Sequence, residues 1–362
     1  MRERSVMIRL LAVVLLQFSI FSWGSEGGAL ASEAPETETA KENEAFVHVH
    51  FATYDGQRVT DLKPDEISVL VDARPVKIKQ ILQPDEPFDI GLLMDVSPST
   101  EKEVDQIRQA TSDFISYFPL QDRFLMLTFD SEVYVDCDWT TDRKKMDETI
   151  WEFGLHKGGS KTILREALVA AAEQKFMPRK PRTAMILFSD GDDTGTKDIS
   201  KEESIAYLQK SRVLTYCLQH FSMEYHWKVH HPAPESPDIA RMPSPGGTTA
   251  GPIFIGGAGT TERDMAEYKV NSIHESAVAY LGKVSQAGGG RHIQLATIND
   301  LAKAYERVAE DLLQVYTIIF ESPLKPGTQL HSLSVRTTRD DVIAHYRPQG
   351  LWLGRLQRGT RD

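Results

Sequence analysis

The run Asp95-Val96-Ser97-Pro98-Ser99 sets one carboxylate and two hydroxyls at alternate positions directly behind the apolar stretch DIGLLMD at 89–95. Oxygen donors at alternate positions can face one point. A hard cation such as Mg2+ wants about six oxygens near 2.1 Å and commonly keeps several as water, so a protein need supply only a few. Two further segments carry the same chemistry. Gly158-Gly159-Ser160-Lys161-Thr162 opens a helical pattern with a hydroxyl, and SDGDD at 189–193 ends a second apolar stretch with Asp190. The expected donors are therefore Asp95, Ser97, Ser99, Thr162 and Asp190, converging on one Mg2+, or on Mn2+ or Ca2+ in its place. Hydroxyls outnumber carboxylates in this set, so the bound ion keeps positive charge and attracts a carboxylate from outside.

Other residues invite chemistry and have plainer explanations. Alone, Asp-x-Ser-x-Ser also describes a capped turn into a helix, because Asp and Ser favour turns and N-caps. His220, His226, His230 and His231 crowd one segment, and the pair at 226 and 230 has the spacing of one helical face. No Glu follows His226, however, so the zinc-protease pattern is absent. With Pro232 and Pro234 adjacent and no helix caps in sight, a solvated loop is expected there. Asp192 and Asp193 read as exposed turn charge or as acceptors behind the donors. Glu101 and Glu103 are expected in a first helical turn, where carboxylates complement the dipole. Gly288 to Gly290 precedes a strand rather than a helix, the wrong order for a phosphate cradle. No His, Lys or Cys is tied by motif to Asp95 or Asp190, so a paired general base is missing and the chain is read as a non-enzyme. A scaffold whose cation only staples loops, and a metal-dependent hydrolase, are the alternatives.

Three loops meet only if a scaffold brings them to one edge. From Phe88 onward, apolar runs alternate with helical patterns. After DIGLLMD comes a helix with Val104, Ile107, Ala110, Phe114, Ile115 and Phe118 at three- and four-residue spacing. RFLMLTF at 123–129 and VYVDCDW at 133–139 follow as a hairpin. Helices are expected over 162–176, 201–210, 274–286 and 299–315, interleaved with TAMILFSD at 183–190, VLTYCLQ at 213–219 and RHIQL at 291–295. Strands without polar alternation suit burial on both faces. The pattern implies an α/β fold: a doubly wound, mostly parallel sheet with helices on both faces. Ligands of such sheets bind beyond the carboxyl ends of the strands, where all three loops emerge.

The α/β pattern spans 87–313 and contains, over 220–272, a Gly-, Pro-, Ser- and His-rich stretch that reads as a mobile insertion. Residues 45–86 and 314–352 carry short alternating strand signals instead. Isolated hairpins are marginal in water, so the two pieces are expected to pair as a small β-rich module. Residues 32–44 form an acidic linker and 353–362 a basic tail. At the start, Arg2, Arg4 and Arg9 precede an apolar run from Leu10 to about Trp23, with small residues at Ala29-Leu30-Ala31. That outline is a signal peptide over 1–31, with an uncleaved anchor as the other reading. Either places the folded part outside the cytoplasm, in the periplasm or secreted; after cleavage no membrane span is expected. With 41 Lys and Arg against 52 Asp and Glu, the net charge of −11 argues against nucleic acid as a partner.

The loop residues resemble a known family. Asp95, Ser97, Ser99, Thr162 and Asp190, with the apolar strands before Asp95 and Asp190, are similar to the metal-ion-dependent adhesion site of von Willebrand factor A domains: Asp-x-Ser-x-Ser, then a Thr, then an Asp. One departure is that Ser160 and Lys161 separate the Gly pair from Thr162, where many relatives read Gly-Gly-Thr. The resemblance implies that the serines and threonine bind the ion directly or through water, that the aspartates often act through water, and that the partner protein supplies an Asp or Glu carboxylate. Over 45–352 the chain is also similar to exported relatives of the family from Acidobacteria and similar bacteria. The strand order the resemblance implies sets Cys137 and Cys217 four strands apart, too far for a disulfide.

Overall fold

The computed structural model describes residues 44–153, 159, 161–176, 180–230, 262–322 and 332–346. The expectations for the signal peptide, the acidic linker up to residue 43, the middle of the 220–272 segment and the C-terminal tail lie outside these residues, as do Gly158 and Ser160.

The centre is a six-stranded sheet. Its strands are β5 (Asp89–Asp95), β6 (Arg123–Phe129), β7 (Val133–Thr140), β8 (Thr183–Ser189), β9 (Leu214–Gln219) and β10 (His292–Gln294), in the order β10-β9-β8-β5-β6-β7. Every pairing is parallel except the β6–β7 hairpin. The doubly wound expectation is borne out, including the hairpin. β5 is central, and its side chains alternate between two cores. Ile90, Leu92 and Met94 pack with α1 (Val104–Ser116) and α7 (Leu301–Leu312) through Ile107, Phe114, Tyr305 and Val308. Leu93 faces the other layer, where α3 (Leu164–Gln174) and α6 (Glu262–Gly288) contribute Leu168, Leu281 and Val284. Burial on both faces is why the strand reads as a continuous apolar run. Gly91 interrupts it because a Cβ there would overlap the Phe176 ring.

Cys137 on β7 and Cys217 on β9 are four strands apart in this order; both are buried and free. Two helices were not expected: α2 (Arg143–Glu152) and α5 (Met223–His230). The second lies inside the 220–272 stretch, and α6 begins at Glu262, ahead of the expected 274. α4 (Lys201–Ser211) starts on a capping box made by Ser200 and Glu203.

The flanking segments form antiparallel sheets. β1 (Glu44–Thr53) pairs with β11 (Tyr316–Glu321) over Glu44–Val49 and with β13 (Val342–His345) over His50–Thr53, while β4 (Ile78–Leu82) pairs with β11. β2 (Ile67–Val71) lies between β3 (Arg74–Val76) and β12 (Leu333–Thr337). Val49, Phe51, Val69, Tyr316, Phe320 and Val335 share one core, so neither chain end has to bury its strands alone. This module is tied to the end of α7: Arg58 pairs with Asp311 at 2.9 Å and His50 Nε2 donates to the Asp311 carbonyl at 2.8 Å, while Arg291, just before β10, holds the same carboxylate at 2.7 Å.

Candidate metal centre

At the carboxyl end of β5 the chain turns sharply because Asp95 Oδ1 accepts the Ser97 N–H at 2.9 Å. Ser97 directly precedes a 3-10 turn over Pro98–Glu103 without a side-chain capping bond, and its Oγ lies 3.0 Å from Ser99 Oγ. The other Asp95 oxygen, Oδ2, accepts from Ser189 Oγ at 2.7 Å, which joins the β5 loop to the end of β8. There Gly191, at φ +83°, allows the turn after Asp190; a side chain at that position would strike Ala277 and Leu281. Asp190 Oδ1 accepts the Asp192 N–H at 2.9 Å, and the Asp190 carbonyl accepts from Gln219 Nε2 at 2.8 Å.

The third loop is held from both sides. Asp130, at the end of β6, accepts the Gly159 N–H on Oδ2 (2.9 Å) and the Ile163 N–H on its carbonyl (2.8 Å). Thr162 N–H donates to Thr194 Oγ1 at 3.0 Å, and its carbonyl accepts from Gly195 at 2.8 Å, so Thr162 is bound to the loop that follows Asp190. The structure thus joins Asp95, Ser97 and Ser99 through side-chain bonds, brings Asp190 beside them through its chain neighbour Ser189, and attaches Thr162 through the backbone to the loop after Asp190.

Residues 89–228 match the family model for the von Willebrand factor type A domain. The chain therefore carries a von Willebrand factor type A domain. No curated protein sequence matches. Among solved structures, the chain is similar to an aerotolerance-related membrane protein from Bacteroides fragilis (16% identity, 62% of this chain and 98% of that one, TM-score 0.38). It is also similar to a von Willebrand factor type A protein from Catenulispora acidiphila (12%, 85% and 72%, TM-score 0.42). A third is proximal thread matrix protein 1 from the mussel byssus, solved with a zinc-occupied MIDAS motif (14%, 66% and 48%, TM-score 0.43).

Electrostatics set this end of the A domain apart. Asp95 is 0% and Asp190 3% exposed. Burial, and then the charge of Asp190, push the Asp95 carboxyl up to about 7. Asp192 is raised by burial and by Asp190 as well. Among the described residues neither Asp95 nor Asp190 has a Lys or Arg at ion-pair distance; the side chain beside Asp190 is a histidine, His226. Two buried carboxylates that oppose each other's charge, with paired serine hydroxyls beside them, fit a hard divalent cation. Among the described residues no three His, Cys, Asp or Glu gather closely enough to hold a metal by themselves, so a cation here needs hydroxyl or water oxygens as well.

Two expectations need correction. His226 is not solvated: it lies on α5, is 2% exposed, and has Nε2 3.3 Å from Asp190 Oδ2. His220 is also buried, with Nε2 2.8 Å from Glu103 Oε2 but out of line for a hydrogen bond. A histidine is therefore set beside Asp190 by the fold even though no motif ties the two. Nor are Asp192 and Asp193 exposed turn charge: Asp193 accepts the Arg165 and Thr196 N–H groups, fixing the start of α3. The sequence also left Ser189 and Asp130 unassigned. Ser189 lies one residue before a proposed donor on a strand that points alternate side chains to opposite faces, and that adjacency is the signal for it.

Proposed function

We propose that this chain is an exported, non-enzymatic protein-binding module that captures an Asp or Glu side chain of a partner through a divalent cation held by Asp95, Ser97, Ser99, Thr162 and Asp190. The observation that carries this reading is the junction of the β5 and β8 loops: the Asp95–Ser189 bond and the paired Ser97 and Ser99 hydroxyls place oxygens of two loops at one edge of a rigid sheet. A bound Mg2+, Mn2+ or Ca2+ would supply positive charge and an exchangeable position for the partner's carboxylate. Asp95 orients the loop by accepting the Ser97 N–H, and Ser189 keeps its second oxygen from turning away. The site sits where ligands of doubly wound sheets bind. No described helix is long and apolar enough to cross a membrane.

Burial favours a second reading, in which the cation staples the loops and no partner enters. Asp95, Ser97, Thr162 and Asp190 are all buried, so a partner's carboxylate reaches the ion only past Ser99 or after a local opening. Calorimetry with Mg2+ and Mn2+ on wild type and Asp95→Ala tests the site. Metal affinity should fall at least about 100-fold in the variant with the fold retained, because Asp95 is the last residue of β5 and its side chain bonds to the loops and not to either apolar core. Equal affinity in the two proteins rejects the assignment. Capture of envelope proteins with Mg2+ but not with chelator then separates binding from stapling, and turnover of a hydrolysable substrate would reject the non-enzymatic reading.

A further inference from the structure

His226 is held more tightly than a histidine that only fills space. Its ring lies flat on Phe221, with centroids 4.0 Å apart and planes 6° from parallel, and Tyr225 meets it edge-on at 5.3 Å. Ser222 starts α5 by accepting the His226 N–H on its carbonyl (3.1 Å) and the Tyr225 N–H on its Oγ (3.3 Å). Stacking fixes the ring plane, and two carboxylates flank its edges. Nε2 lies 3.3 Å from Asp190 Oδ2, and Nδ1 lies 3.7 Å from Asp192 Oδ2. α5 is also tied to the β5 loop, where Lys102 pairs with Glu224 at 3.3 Å. The helix thus contacts both the loop after Asp95 and the end of the strand that carries Asp190.

Neighbouring donors on one octahedral ion, each about 2.1 Å from it, are about 3 Å apart. His226 Nε2 and Asp190 Oδ2 form a hydrogen bond at 3.3 Å, close to that value, so an ion can take the place of the shared proton, which leaves to solvent. Metal-bound histidines commonly turn their other nitrogen toward a carboxylate, which fixes the ring and raises its basicity. Asp192 stands on that side. We propose that His226 Nε2 is a nitrogen donor to the same cation as Asp95 and Asp190, with Asp192 as the positioning carboxylate behind it, and that the site therefore prefers Zn2+ to Mg2+. This rests on the cation reading above. The chemistry follows from donor type: imidazole suits Zn2+, whereas Mg2+ takes oxygen and resists nitrogen.

The test uses the full chain with Zn2+ and Mg2+ as probes. In calorimetry, His226→Gln should weaken Zn2+ by about tenfold or more while changing Mg2+ by less than about threefold, and Asp192→Asn should follow the same pattern more weakly. X-ray absorption at the zinc edge should show imidazole scattering in wild type that is lost in His226→Gln, with circular dichroism confirming that the variant is folded. Zinc bound in an Asp95-dependent way, but without imidazole scattering or with scattering that survives His226→Gln, overturns the role of His226 and leaves the cation site standing. Parallel losses of Zn2+ and Mg2+ in His226→Gln overturn it too. If Asp95→Ala binds both ions as well as wild type does, the cation reading falls and this inference with it.

Discussion

The two ends of the central sheet treat buried charge in opposite ways. At the amino end, Asp89 is matched by Arg123, whose Nε donates to it at 2.7 Å, and by Lys180 at 3.2 Å. Asp122 accepts the Phe88 N–H, and Arg182, over the Phe88 ring, donates to the Val315 and Pro84 carbonyls at 2.9 and 3.1 Å. Asp89 is thus neutralised by direct ion pairs. Arg182, whose Nε has no hydrogen-bond partner among the described residues, has the opposite charges of Glu86, Asp122 and Asp85 around it while it seats β5 and β8 against β11. At the carboxyl end, Asp95 and Asp190 face each other with hydroxyls and an imidazole, and no Lys or Arg among the described residues neutralises them. Unpaired buried carboxylates cost stability, so a fold that keeps them uses them for something other than holding itself together. Charges at one end should therefore govern stability, and charges at the other should govern binding.

The largest test of that division is Arg182→Met. Arg182 is buried, which lowers its pKa to about 10, and its removal leaves two carbonyls without their donor. The expected cost is about 2–4 kcal/mol of unfolding free energy by chemical denaturation. Metal affinity should stay within about twofold of wild type, because the change lies at the far end of the strands. Asp95→Ala should do the reverse. A stable Arg182→Met protein that has lost its metal affinity would break the comparison.

A smaller effect should appear on acidification. His48 on β1 sits against this same positive end: burial first, and then the charge of Arg182, lower its pKa from 6.5 to about 3. Between those values the unfolded chain binds a proton that the folded chain refuses, so stability falls as pH drops below 6.5 and the loss from this group is complete near pH 3. From pH 6 to pH 5 the contribution is about 1 kcal/mol. Denaturation of wild type and His48→Gln at the two pH values reads it as the difference in slope. Identical slopes would mean that His48 does not carry the effect.

How far the sequence showed this division depends on how local each signal is. DIGLLMD and TAMILFSD were legible as central strands because a strand covered on both faces must be apolar throughout, and the donors behind them were legible by spacing alone. α2 was missed because only Met146 and Ile150 of RKKMDETIWE are buried, a single pair among charges. Its one clear signal is Asp142, which caps the helix by accepting the Lys145 N–H. α5 was missed for a different reason. Prolines at 232 and 234 argue against a helix and outweigh the one cap, Ser222, and what holds His226 in place is the Phe221 ring together with carboxylates 34 to 36 residues away. A contact made only by the folded sheet leaves no periodicity to read.

The smallest expected effect lies between the two kinds of charge. Asp130 is a buried carboxylate at the carboxyl end that is fully used by the protein: Oδ2 accepts the Gly159 N–H, and Oδ1 accepts the Glu132 N–H at 3.0 Å. Asp130→Asn keeps one carbonyl-type oxygen and turns the other group into a donor, so one of these two N–H groups loses its acceptor. A single backbone bond is worth about 0.5–1.5 kcal/mol net, and a loss near the lower end is expected because the Asp130 carbonyl still holds Ile163. If the Gly159 bond is the one lost, the loop carrying Thr162 loosens and Mg2+ affinity should fall by about threefold. If the Glu132 bond is lost instead, stability falls alone. Backbone amide exchange at Gly159 and Glu132 shows which bond has opened, and calorimetry on the same sample shows whether affinity moved with it. An intact Gly159 bond with weakened Mg2+ binding would mean that the charge of Asp130 acts on the site directly, and that the loop's position is not what Asp130 controls.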